Sequence, residues 1–451
     1  PSNREEPRSP IRAMLSESSP KDRKEKTKPC SSAGACITSP KSHKLKQRSR
    51  SLFLSTYPNR LKSSDDLTVW SILRRMTFRD HPLRKSLASE LHARPYGTIA
   101  TPAQISHLAL ASGEDMAAAE IAHLTTLCSH FQVGAPPHGT TLFNADLGAI
   151  RLKWERHTEF STYTLIAENN FDIPFKNSAV AAVSGDWLSA LPGDVIAALH
   201  ITVQEAAIQD TDSDKVGEFF DNNTLVGGLL GDNQACWWTD FVVHSDGFSR
   251  FLIRGQNLLA TTLGRITQRI IDMETYRMMA MLALPNAQAA RPQVAQMETH
   301  LSAILQELAD PDTAQSEREL LKELTDLAAQ SERVSGAVTY RFSASRAYAE
   351  IVRQRVRALR EDRVAGIQPA GDFLLTRFEP AMETCENLAR RLNALGDRVT
   401  RASNLLRTRV DVTVEEHNRD LLHSMDRRAQ TQLRLQATVE GLSVAAITYY
   451  V

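Results

Sequence analysis

Beyond about Asn257 the chain carries no strand pattern, only apolar residues at helical spacing, and this decides the architecture of its second half. Leu320, Leu324, Leu327, Ser331, Val334 and Val338 step by three and four, a coiled-coil seam with polar interruptions, inside a helix predicted over about Ala314–Arg363. Gly366, Pro369 and Gly371 break it. A second stripe follows, from Phe378, Met382 and Cys385 through Leu388, Leu392 and Leu395 to Val399, Ala402 and Leu406. Two long helices joined by a short Gly/Pro loop are expected to pack antiparallel. Upstream, Leu258–Leu284 reads as a helix that stops before Pro285, and Val294–Leu308 as one that stops before Pro311. From Arg341 onward there is no lysine but many arginines, including Arg401, Arg407 and Arg409. Arginine suits fixed, bidentate pairing with carboxylates, so this face reads as ion-pair-laced stalk or oligomer contact.

The preceding stretch, 76–256, is mixed. Ile105–Ala111 is strand-like, and Glu114–Phe131 has helical spacing through Met116, Ile121, Leu124 and Leu127. Thr140–Glu168 holds two or more extended segments. Ala197–Val203, Thr224–Leu230 and Ala235–His244 read as further strands. Ser245-Asp246-Gly247 is a turn, with Phe248–Ile253 the returning strand of a hairpin. The expected fold class is therefore α+β: an N-terminal α+β domain, then a helical stalk over 257–438.

The two ends differ from the rest. Residues 1–75 are rich in Ser, Lys, Arg and Pro without an apolar period, a composition that buries too little surface to fold, and read as a disordered basic extension with Met76 a sensible start. At the other end, Val439–Val451 has no charge after Glu440, and Arg427, Arg428 and Arg434 lie just upstream. A basic flank before an uncharged run with an aromatic pair is how a membrane-entering helix begins. Leu442, Val444, Ile447, Tyr449 and Tyr450 are the membrane-entering candidates. A span needs about 20 apolar residues, so the expectation is a truncated first span; a soluble helix with an apolar cap is the alternative.

The zero net charge conceals an asymmetry: residues 1–62 hold 15 Lys+Arg against 5 Asp+Glu, leaving 38 against 48 elsewhere. An acidic body argues against nucleic acid as a partner. The five cysteines are scattered, without a CxxC pair, which supports neither a zinc ribbon nor a disulfide framework and fits a cytoplasmic location for the soluble part.

Three constellations could carry chemistry. Glu90, His92 and Arg94 share one face of an extended segment and could bind an anion or metal, or anchor a loop. Continued as a strand, Trp154–Thr164 (WERHTEFSTYT) would put Glu155, His157, Glu159 and Ser161 on one face. Carboxylates flanking an imidazole could hold a divalent cation or form a ladder of cross-strand pairs. Asp240, His244 and Asp246 cluster at the proposed hairpin, where turn chemistry explains Asp246. Gly227-Gly228-Leu229-Leu230-Gly231-Asp232 lacks the Lys-Ser/Thr of a phosphate loop and reads as a strand connection. GxSxG and HExxH are both absent, no cofactor is indicated beyond a possible divalent cation, and the reading leans away from an enzyme.

Several long words resemble a known family: HPLRKSLASELHARP (His81–Pro95), WERHTEFSTYT, TDFVVHSDGFSRFLI (Thr239–Ile253), ETYRMMAMLALP (Glu274–Pro285), YRFSASRAYAEIV (Tyr340–Val352), PAMETCENLARR (Pro380–Arg391) and LLRTRVDV (Leu405–Val412). With MDRRAQTQLRLQATVEGLSVAAITYYV they occur in the order of the bacterial domain-of-unknown-function 3422 family, over about His81–Val451. Its members are described as uncharacterised membrane-anchored proteins that continue into a hydrophobic C-terminus, which implies a truncated member held at the bacterial inner membrane. The resemblance brings no reaction and no catalytic residues. The order of α+β domain, helical stalk and membrane segment is similar to CorA-type magnesium transporters, an analogy of architecture alone. The expectation is a non-enzymatic scaffold or tether that homo-oligomerises through the stalk and meets the membrane at its C-terminus. The alternative is a subunit of a divalent-cation transporter or channel.

Overall fold

The structure is a computed structural model that describes residues 81–85, 87–88, 97–206, 213–231, 233–309 and 317–450. The expected extension over 1–75, and Glu90, His92 and Arg94, lie outside the described residues.

Among the described residues, alternating apolar side chains build eight strands: β1 Ala103–Ala111, β2 Leu142–Asp146, β3 Arg151–Arg156, β4 Ser161–Ala167, β5 Asp194–Glu205, β6 Val226–Leu230, β7 Ala235–Val243 and β8 Ser249–Gly255. They form one sheet in the order β2-β3-β4-β1-β5-β8-β7-β6. Neighbours pair antiparallel except β5 and β8, which run parallel with Leu199 opposite Ser249 and Glu205 opposite Gly255. The intervening β6–β7 excursion turns the chain round, which is why the β7–β8 hairpin arrives beside β5 in that sense.

Period-two alternation sends each strand's side chains to two different cores. On one face Leu108, Leu110, Trp154, Tyr163 and Leu165 pack against Leu124 and Leu127 of α1 (Ala117–His130) and Trp187 of α2 (Gly185–Ser189). Between β5 and β6 lies α3 (Ser213–Gly217). On the other face Ile105, Ile201, Trp237, Phe251 and Ile253 meet Leu263, Ile266 and Ile270 of α4 (Ala260–Met281). Gly264 is required there: a Cβ on it would lie 1.7 Å from the Gly97 carbonyl oxygen.

The helical half joins this core instead of standing apart from it. The remaining helices are α5 (Ala283–Ala309), α6 (Glu317–Leu359) and α7 (Ala370–Tyr450). Ala349, Val352 and Leu359 of α6, with Leu374, Phe378 and Met382 of α7, are buried in one cluster with the sheet and α4. The turn between α6 and α7 pairs with edge strand β6: Leu229 and Asp362 exchange two 2.9 Å backbone hydrogen bonds, and Gly227 N donates to Gln368 O. A Cβ on Gly228 would lie 2.5 Å from the Asp362 oxygen. The glycine-rich word is thus a strand edge kept bare so that another backbone can cover it.

Every residue of both predicted stripes is buried, but in a three-stranded bundle. Arg353 pairs bidentately with Glu379, and Arg409 Nε lies 2.8 Å from Glu317 Oε1, so α6 and α7 run antiparallel. Arg391 pairs bidentately with Glu298, and Arg409 donates to Leu308 O, so α5 runs parallel to α7 as the third strand. The expected end before Pro311 agrees with α5 closing at Ala309, but the expected end at Pro285 needs correcting. The first break falls at Leu282, and α5 passes through both Pro285 and Pro292. Pro285 sits in the first turn, where amides lack helical acceptors anyway. The apolar a/d burial of Ala287, Ala290, Val294 and Met297 carries the helix across Pro292.

No helix among the described residues is long and apolar enough to cross a membrane. The expected start of a transmembrane helix is therefore not supported. Leu442, Val444, Ile447, Tyr449 and Tyr450 simply continue α7.

Candidate functional site

Strand β3 ends at Arg156 and β4 begins at Ser161, so residues 157–160 form the turn between them. The turn breaks the face that a continuous strand would have given Glu155, His157 and Glu159. Glu155 is buried on the sheet with Lys153 Nζ 2.8 Å away. Glu159 reaches the helices instead: Tyr348 Oη donates to its Oε1 at 2.6 Å, and Arg341 Nη2 lies 2.8 Å from its Oε2. His157 stacks on Phe160, with ring centroids 4.2 Å apart. Among the described residues no group of three or more His, Cys, Asp or Glu side chains is placed to hold a metal ion. The cation-site expectation for Glu155, His157 and Glu159 is corrected accordingly: each carboxylate already has a cationic partner and they point to different places.

What the turn does build is an open cleft of ≈ 450 Å³ against α4 and α6. Arg156, His157, Phe160, Tyr276, Tyr348 and Ile351 are among its walls, with the hydroxyls of Thr141 and Thr158. Tyr276 and Tyr348 stand edge-on to Phe160 at 5.9 and 6.3 Å. Burial, helped by the neighbouring Glu159 carboxylate, pushes the Tyr348 hydroxyl well above its usual range, so it stays a donor. Arg156 anchors the other wall: its Nη1 lies 2.7 Å from the fully buried Glu120 carboxylate and its Nη2 donates to Gly113 O. The volume suits a small molecule. The lining sets an imidazole and a guanidinium beside tyrosine and threonine side chains, polar groups that can orient a bound molecule. Tyr276, Arg341 and Tyr348 escaped the sequence reading, because aromatic and basic residues on a helix face look the same whether they meet solvent or a strand turn.

Of the third constellation, Asp240 and His244 do come together. His244 is buried, with Nδ1 2.8 Å from Asp221 Oδ2 and Nε2 3.0 Å from Asp240 Oδ2, the latter contact out of hydrogen-bond alignment. The His244 bond holds the Asp221 carboxyl below its usual range. Asn223 donates to Asp240 Oδ2, and Arg250 lies 3.8 Å from Asp221. The imidazole has one carboxylate at each ring nitrogen, so it bridges loop 219–223 to the β7–β8 hairpin. Asp246 accepts from Phe248 N in the turn, as its type suggests.

Two further histidines went unremarked in the sequence. His107 Nδ1 meets Thr164 and Nε2 meets Thr275, and burial lowers its pKa to about 3. His200 lies between Ser106 and Ser178 and stacks on Phe248, with burial lowering its pKa to about 4. The Ser–His contacts look like a nucleophile and base, yet Ser106 and His200 are both sealed in the sheet. Both histidines are neutral hydrogen-bonded core groups.

The cleft draws together WERHTEF, ETYRMM and YRFSASRAYAEIV, three words far apart in sequence but meeting at Phe160, Tyr276 and Tyr348. A family model described as protein of unknown function (DUF3422) matches residues 79–451. The chain belongs to this family. All three cleft words fall within the DUF3422 match, as do the β7–β8 hairpin and the whole of α7. No curated protein matches the chain.

Proposed function

We propose that this DUF3422 chain is a membrane-associated scaffold or tether, which carries its sheet and helical bundle on the end of α7. One observation carries the reading. Past Arg409 and the open cleft that Val410, Val414 and Asn418 line with Glu317 and Arg318 of α6, α7 continues to Tyr450 well beyond the cores that bury its first half. Large apolar side chains stand in the open there, among them Leu421, Met425, Leu435, Leu442 and Ile447, each more than 60% exposed. An isolated helix of this kind gains its stability from a partner surface. From Gly441 to Tyr450 no face carries a charge, which suits a buried or lipid setting. Arg427, Arg428 and Arg434 precede that end and favour a cytoplasmic body at the bacterial inner membrane.

Fractionation of cells making the full chain tests this. The protein is expected in the membrane pellet and to stay there in 1 M salt, where purely electrostatic attachment is screened. Recovery in the soluble fraction at low salt would contradict the reading.

A further inference from the structure

From the exposed part of α7 we infer a docking surface for further copies of this chain, arranged as a parallel bundle of three or more helices. The inference rests on the tether reading for its setting but on a separate observation for its content.

The apolar stripe of α7 changes direction where its partners end. Within the body, core positions recur every seven residues through Cys385, Leu392, Val399 and Leu406. Continuing that step leads to Thr413 and Asp420, which are polar. The exposed stripe instead runs through Val414, Leu421, Leu435, Leu442 and Tyr449, again in sevens but one residue later. One residue is a rotation of ~100° about the helix axis. The tail's apolar face therefore does not continue the surface that α5 and α6 cover. It is a second seam: Val414 and Asn418 at its head line an open cleft with Glu317 and Arg318 of α6, and beyond them Leu421, Leu435 and Leu442 each stand more than 60% exposed.

The composition of this seam identifies its occupant. With Val414, Leu421 and Leu435 at one heptad core position, the other is held by Asn418, Met425, Gln432, Val439 and Ala446. Seven charged residues lie between 417 and 449, and six of them stand on the far side of the helix, away from both core positions and their flanks. The flanking positions carry His417, Ser424, Thr431 and Thr438 on one side, and Leu422, Ala429, Gln436 and Ser443 on the other. A two-stranded coil leaves its flanks wet and commonly charged. Uncharged, mostly small flanks widen the contact face to more than half the helix, as packing against two neighbours at once requires. The face also has no charge pattern by which to select a different chain, while copies of itself meet without repulsion at every level but one. That level is Arg428, the single charge on the seam. Parallel, in-register packing sets Asn418 on Asn418 and Gln432 on Gln432, polar layers that fix register. It also gathers the charge-free ends beyond Gly441 at one pole.

The full chain is tested, with and without vesicles of phosphatidylethanolamine and phosphatidylglycerol. Light scattering is expected to give three or more copies. Leu435→Asp should yield monomers whose body melts at an unchanged temperature, since Leu435 is exposed in the single chain. Gln430→Glu, on the far side, should keep the wild-type mass. Arg428→Leu should hold the assembly together to at least tenfold lower concentration. Ala446→Cys, in a background with Cys30 and Cys36 changed to Ser, should form self-disulfides, because antiparallel packing would separate those ends. A monomer or dimer in both conditions, or an assembly that Leu435→Asp leaves intact, would overturn the inference. Flotation with the vesicles reads the tether separately: an assembly that does not float removes only the membrane reading, and a monomer that floats removes only this one.

Discussion

Glu361 collects three N–H donors: Trp237 Nε1 and Ala370 N at Oε1, and Gly371 N at Oε2. The last two are orphan amides of the first turn of α7, so one carboxylate caps that helix and ties it to β7. Burial raises its pKa. Glu361→Ala leaves all three donors unpaired, and a loss of about 2–4 kcal/mol is expected in denaturant unfolding, with Glu361→Gln recovering part. His107 supplies a pH test. Its folded pKa, about 3, and that of His200, about 4, lie below the 6.5 of the free side chain. Below pH 6.5 the unfolded chain therefore binds more protons than the folded one. Stability is full above that pH and falls as pH drops towards 4, by up to ~1.4 kcal/mol per unit for each group. Urea midpoints from pH 7.5 to 4.5 should decline, and less steeply in His107→Gln; equal slopes would remove the assignment. Neither residue was legible in the sequence, because the partners of each come from segments far along the chain, and a lone Glu or His carries no sign of them.

Elements were more legible than their partners. The strands of the hairpins and the buried stripes of α6 and α7 follow from periodicities of two and three-to-four, which burial on one face imposes. The parallel β5–β8 pairing and the third strand of the bundle do not, since local pattern says which face is buried and not what buries it. Pro285 misled for a related reason: tertiary burial along Ala287, Val294 and Met297 outweighs the local cost of a proline. Between elements, the bidentate Arg391–Glu298 pair ties α5 to α7, and the Arg391 hydrogen bond holds the Glu298 carboxyl below its usual range. Both side chains are about one-third exposed, so screening limits the pair. Arg391→Ala is expected to cost about 0.5–1 kcal/mol at low salt and less in 1 M salt; a loss above ~2 kcal/mol would mean the pair is sealed from solvent.

At the scale of the whole molecule, sheet and helices share a core, and the β3–β4 turn, α4 and α6 line the open cleft. Its aromatic and basic walls were visible in the sequence only as three unconnected words. The candidate metal set failed because a turn, invisible to strand periodicity, falls between Glu155 and Glu159. The uncharged end of α7 was legible, whereas the rotation of its seam after Leu406 became apparent only once the limit of the bundle was known. The central claim is that α7 beyond Arg409 is a contact surface and not an idle extension. Hydrogen–deuterium exchange on the assembled full chain tests it most directly. Amides across 414–449 should exchange as slowly as those of the bundle, and should become fast in Leu435→Asp while 370–406 stays protected. Fast exchange across 414–449 in the wild-type chain, beside a protected bundle, would contradict the account.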